Sequence, residues 1–311
     1  MKTIWLIGCG NIGFRHLQAL LAMDEPARIL VIEPAKALHD RISGEVTAAG
    51  AGHQVTLATE LPQAGPVDLA VVATAAPPRA AIVRALAMRA RPPAVILEKV
   101  LAQTDAELQS MADDLAAAGS KTHVNCPRRY FPGYQALRRD LAQAGPLSVE
   151  VTGSQFGLGS NAVHFLDLIE FLNASPLVTL DTARLTPGGK PSKRQGFQEI
   201  YGTLTAALDN GATLRVTCAD APQVQLDLAV VTADGRRYAI SEATSRMQAP
   251  DGHAMDFGTR FVSQTPEIYA DALAGRCALT PLADSLRQHR LYLAALRGHF
   301  GLAPDAPVPV S

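Results

Sequence analysis

The sequence predicts an α/β chain: a doubly wound parallel sheet, then an α+β domain built on a largely antiparallel open sheet. Three observations predict it. Short, uniformly apolar runs recur from residue 3 to residue 126, separated by stretches of helical periodicity, the pattern of buried parallel strands joined by crossover helices. A glycine-rich turn, GCGNIG at 8–13, follows the first run and opens the first helical stretch. After Cys126, apolar and polar residues begin to alternate and turn signals multiply, which suits strands with one solvated face.

Taken in order, the strand runs of the first part are TIWLIG, ARILVIE, VDLAVVAT, AVILEK and THVNC. Helices are predicted over 12–22, 79–91 and 105–118, the last closed by Gly119 as a C-cap. CPRRYFPGY, rich in proline, glycine and aromatics, marks the change of style, giving domains 1–126 and 127–311. In the second, strands are predicted over 147–155, 178–185, 199–208, 213–219, 224–232 and 237–241, with turns at 209–211 and 233–235. Helices are predicted over 161–172 and 282–298, the latter placed to pack back on the first domain, and PGGKPSKRQG at 187–196 reads as an exposed loop.

Of the 311 residues, 48% are hydrophobic and 18% charged, and the net charge is -1. That balance suits a globular chain and gives no footprint for a polyanion, so no nucleic-acid partner is expected. No secretory signal or membrane-spanning run is read, so the expectation is a cytoplasmic protein without a membrane partner. Cys9, Cys126, Cys218 and Cys277 are far apart in sequence, which argues against a disulfide framework and against a metal site.

The glycine loop has the context that a dinucleotide fingerprint requires, strand before and helix after. Gly8 permits the tight turn, Gly10 lets backbone approach a pyrophosphate, and Gly13 lets helix pack on strand, with Asn11 and Ile12 at the helix N-terminus. Glu33 ends the second strand about 20 residues on, where a carboxylate accepts hydrogen bonds from a ribose. Its charge repels a 2'-phosphate, so NAD is expected over NADP, with Lys36 near enough to compensate.

AVILEKV places Glu98 and Lys99 at the carboxyl end of a predicted parallel strand, the edge where such sheets bind ligands. Together with GCGNIGFRH, VVATAAPPR and NAVHFLD, it resembles the Gfo/Idh/MocA family of oxidoreductases over nearly the whole chain. The resemblance implies a Rossmann domain followed by an open, mostly antiparallel α/β domain. It also implies a nicotinamide cofactor, held in part by Thr74, Glu98 and Lys99, and hydride transfer to or from a carbon of a sugar, cyclitol or sugar derivative. A homodimer or homotetramer formed through the second domain's sheet is implied as well. Lys99 matches the family's lysine beside the nicotinamide, with Val100 in place of the usual proline, and His164 matches the histidine that acts with it. Oxidising an alcohol sends hydride to the nicotinamide and a proton to a base. Histidine titrates near neutrality unaided, whereas Lys99 does so only if its environment lowers its pKa; His164 is favoured as proton carrier and both roles stay open.

Asp167 stands three residues after His164 on one helical face, placed to orient the imidazole, touch substrate or bond locally. Two departures matter. Ser160, followed by Asn161, stands where many members carry an aspartate, and Arg79 stands where many carry a histidine; Arg79 is read as contacting cofactor or solvated. Arg128, Arg129 and Tyr130, with Asn125, are candidates to meet the substrate, the arginines suiting a carboxylate or phosphate unless they pair locally. Two other readings use the same motifs: a glycoside hydrolase that cycles its NAD, and a non-catalytic NAD-binding sensor or partner subunit. His16 reads as a packing or loop-fixing residue near the cofactor.

Overall fold

The structure, a computed structural model, describes residues 1–192 and 194–311; Lys193, inside the segment expected to be an exposed loop, lies outside the described residues. The chain divides into two compact units. The first comprises Met1–Ala102, Ala106–Asn125 and Arg260–Leu282, and the second Gln103–Asp105, Cys126–Thr259 and Ala283–Ser311.

The first unit alternates β1 (Lys2–Ile7), α1 (Asn11–Leu21), β2 (Ala27–Ile32), α2 (His39–Ala49), β3 (Gln54–Ala58), β4 (Leu69–Val72), α3 (Ala76–Arg89), β5 (Ala94–Leu97), α4 (Asp105–Ala118) and β6 (Lys121–Val124). Its sheet runs β17-β6-β5-β4-β1-β2-β3, where β17 is Thr280–Pro281. β1 to β6 are parallel and β17 is antiparallel to β6. The order reverses between β1 and β4, the switch point beside which doubly wound sheets bind ligands. The central strands are apolar without alternation because both faces are covered: all of β4 is buried, as are Ile4 to Ile7 of β1. Each such Leu or Ile contributes about 1.5–3 kcal/mol by leaving water.

The expected helix over 105–118 has those bounds, and the other two start earlier, at Asn11 and Ala76. α2 and β3 carried little signal because they sit at the sheet's edge: α2 buries only Ile42 and β3 buries no residue fully. The segment 260–282, expected in the second domain, belongs to the first unit, bringing α7 (Glu267–Leu273) and the edge strand β17. A two-residue strand and a seven-residue helix are too short for periodicity to announce them.

The second unit contains α5 (Pro132–Asp140), β7 (Ser148–Ser154), α6 (Leu158–Asn173), β8 (Leu177–Leu185), a hairpin of β9 (Lys190–Pro191) and β10 (Gln198–Glu199), β11 (Gly202–Leu208), β12 (Thr213–Ala219), β13 (Gln225–Val231), β14 (Arg237–Ser241), β15 (Arg246–Gln248), β16 (Ala254–Asp256) and α8 (Leu282–Phe300). Eight strands form one sheet, β16-β15-β14-β13-β7-β12-β11-β8, antiparallel except where β7 and β12 run parallel. The strand expected over 199–208 is two: it is interrupted at Ile200 and Tyr201, and β11 starts at Gly202, whose φ of +103° favours glycine. CPRRYFPGY, the segment that marks the change of style, contains a 3-10 turn at Pro127–Tyr130 and the start of α5, with Pro132 at its first turn.

α6 is apolar on almost every side and is buried accordingly. α8 is tied to it: the Tyr292 hydroxyl donates to the Gly159 carbonyl at 2.8 Å, and Arg287 and Gln288 donate to Glu170 at 2.8 and 2.7 Å. From Ala283 on, α8 groups with the second unit.

Candidate active site

In the first unit, three glycines do three different things. Gly8 has φ +84°, and a Cβ there would stand 2.9 Å from Thr74 Cγ2. A Cβ on Gly13 would fall 2.0 Å from the Gly8 carbonyl oxygen, so α1 packs on the loop only because it is absent. A Cβ on Gly10 would meet nothing within 4 Å. Gly10 gives α1 no side-chain cap, so the first-turn amides around Asn11 and Ile12 are available to an anion.

Glu33 is 8% exposed. One carboxylate oxygen accepts the Cys9 amide at 2.7 Å and the other the Ala35 amide at 2.9 Å. The end of β2 thus fixes the glycine loop, and the carboxylate keeps lone pairs for a ribose. Burial first, and the Glu33 charge second, push the Cys9 thiol up to about 12. Thr74 Oγ1 is buried and has no hydrogen-bond partner among the described residues. Open space at Gly10, uncapped amides, an acidic ribose position and this hydroxyl fit a dinucleotide. Lys36 is exposed, and Arg41, a residue the sequence reading did not single out, lies with its guanidinium 3.8 Å over the Phe14 ring.

β5 ends at Leu97, so Glu98 and Lys99 leave its carboxyl edge, the edge from which the glycine loop leaves β1. Glu98 is 4% exposed. It accepts from Asn125 Nδ2 at 2.5 Å and shares a hydrogen bond of 2.9 Å with His16 Nε2, whose Nδ1 lies 2.6 Å from the Tyr269 hydroxyl. Burial pushes the Glu98 carboxyl up, but the His16 hydrogen bond, the charges of His16 and Lys99 and the Asn125 donor hold it below the usual range. Asn125, a substrate candidate from sequence, supports Glu98 here. Lys99 is half-buried, and its peptide bond to Val100 is cis.

Arg79 corrects an expectation. It is 1% exposed, not solvated, and its guanidinium donates to the carbonyls of Val100, Leu101 and Thr74.

In the second unit, His164 and Asp167 share one face of α6, with His164 half-buried and Asp167 fully buried. Asp167 takes both prongs of Arg129, Nη2 to Oδ1 at 2.6 Å and Nε to Oδ2 at 3.0 Å. Arg128 makes the same fork with Glu242, both bonds 2.7 Å, and the Tyr134 hydroxyl adds a third donor at 2.7 Å. Both arginines thus pair locally with carboxylates of the unit, Glu242 having been missed because it lies 114 residues away. Tyr130 is buried.

Ser160 Oγ donates to the Gly157 carbonyl at 3.2 Å and Asn161 Nδ2 to that of Phe156 at 2.6 Å. A second missed carboxylate, Glu199, accepts the Gly159 amide at 2.6 Å and so caps α6 from another strand. Among the described residues no group of three His, Cys, Asp or Glu side chains could hold a metal, and no helix is long and apolar enough to cross a membrane.

The loop, the switch point and the acidic ribose position define a dinucleotide-binding domain of Rossmann type. Residues 2–126, the glycine loop and the parallel strands of this unit, match the model of the Gfo/Idh/MocA family, described as "Oxidoreductase family, NAD-binding Rossmann fold". Inositol 2-dehydrogenase 2 of Paenarthrobacter aurescens is 32% identical over 132 residues, 35% of this chain, and the match spans 40% of that relative's length. An oxidoreductase from Agrobacterium radiobacter, solved with NAD+, L-tartaric acid and magnesium, has a similar fold (TM-score 0.71, 16% identity, 96% of this chain and 97% of that one). So has a putative myo-inositol dehydrogenase from Sinorhizobium meliloti (TM-score 0.66, 17% identity, 96% and 97%).

Proposed function

We propose that the chain is an NAD-dependent dehydrogenase or reductase acting on the CH–OH group of a cyclitol, sugar or sugar derivative. The observation that carries this reading is the placement of Lys99 directly after β5, at the sheet edge shared with the glycine loop. Bound NAD supplies the hydride acceptor at the nicotinamide. Gly8, Gly10, Asn11, Ile12 and Gly13 hold the pyrophosphate, Glu33 the ribose, and Thr74 and Glu98 line the path to Lys99. The lysine ammonium donates a hydrogen bond to the reacting oxygen and polarises it, while His164 takes the hydroxyl proton in oxidation and returns it in reduction. Ser160 and Asn161 meet substrate hydroxyls, and Asp167, through Arg129, keeps the α6 face in place. Self-association through the open face of the second sheet, where Thr152, Asp227, Arg237 and Arg246 are exposed, completes the reading.

The test is an absorbance screen for NADH formation from NAD with cyclitols, sugars, uronic acids and nucleotide sugars, and for NADH loss with their keto forms. Net turnover on a polyol or keto sugar is expected. Tight NADH binding with no turnover across the panel overturns the enzymatic reading.

A further inference from the structure

Arg79 stands on α3 with its guanidinium almost wholly removed from water. One nitrogen donates to the carbonyls of Val100 and Leu101 and the other to that of Thr74. Thr74 follows β4 and its methyl group packs beside Gly8; Val100 follows the lysine after β5. A planar fork of donors suits carbonyls on two loops at once, which a single ammonium on a flexible stem does not. Buried carbonyls left without donors are costly, so the two loops keep their relation only while the fork is in place.

We propose that Arg79 is the positioning residue of Lys99: it clamps the loop bearing the lysine to the loop packed on the glycine turn, so that amine and pyrophosphate cradle hold a fixed spacing. Arg79 touches neither cofactor nor substrate in this role and acts through the backbone of residues 74 and 100. The proposal rests on the reading of Lys99 as the amine of the reaction.

The experiment uses the full chain saturated with NADH and carrying isotope-labelled lysine, with Lys99→Met identifying the Lys99 signal. In Arg79→Lys, NADH affinity should stay within about threefold, while the Lys99 titration midpoint moves by about half a pH unit or more and the other lysine signals stay in place. Amide exchange over 98–103 should quicken about tenfold. A Lys99 midpoint and local exchange equal to those of the unaltered protein, in a folded variant, would overturn the proposal. Should Arg79→Lys fail to fold, the unaltered protein still decides: the Nη protons of Arg79 should be distinct and slow to exchange, and a freely rotating, rapidly exchanging guanidinium refutes the clamp. If Lys99→Met keeps its turnover, the catalytic reading falls on its own, independently of these signals.

Discussion

His16 Nε2 and Glu98 Oε1 lie 2.9 Å apart, both residues almost fully buried, joining the helix after the glycine loop to the residue before Lys99. A carboxylate in such a place is kept ionised by its partners and not by water. Glu98→Gln should therefore destabilise the chain by about 1–3 kcal/mol, read from denaturant unfolding. The sign of the pH effect follows from the lowered folded pKa. The stabilisation is full above the unfolded carboxyl value, about 4.3, and is lost as pH falls through the lower folded value. The gap between variant and parent should narrow on that acid limb, and a gap constant with pH would reject the assignment.

The glycines of the loop separate binding from folding. Gly13→Ala drives a methyl group into the Gly8 carbonyl and should cost about 3 kcal/mol or more. Gly10→Ala meets no protein atom, so its melting point should stay near that of the parent while NADH affinity drops about tenfold, by titration of NADH fluorescence. Equal NADH affinity in Gly10→Ala would show that the pyrophosphate lies elsewhere.

Cys9, held near pKa 12 by burial and by Glu33, should resist iodoacetamide at mildly alkaline pH in the folded protein and react after unfolding. Mass mapping of the labelled peptide checks this; rapid native labelling of Cys9 would contradict the burial of the loop.

Arg128 and Glu242 form a largely shielded pair, their side chains 12% and 11% exposed, so Arg128→Ala, which strands the carboxylate, should cost about 3 kcal/mol, whereas removing both charges with Arg128→Leu and Glu242→Leu together should cost clearly less. Single and double variants with equal losses would mean that the two residues act separately.

The sequence disclosed the first sheet well because its strands are buried on both faces and need no partner to be recognised. It disclosed the glycine loop, Glu33 and Glu98–Lys99 because their chemistry is local. It did not disclose Tyr269, which meets His16 from 253 positions away, nor Glu242 and Glu199, whose partners come from tertiary pairing. Arg79 illustrates the other failure. From sequence it reads as contacting cofactor or solvated, and only the carbonyls of a neighbouring loop, seen around it, show the burial that excludes the second.

The most direct measurement of the central claim is turnover and NADH binding by Lys99→Met. If Lys99 serves hydride transfer from an NAD-binding domain, NADH affinity should remain within about threefold while turnover on the screened substrate drops about a hundredfold or more. Turnover close to that of the unaltered protein would contradict the account.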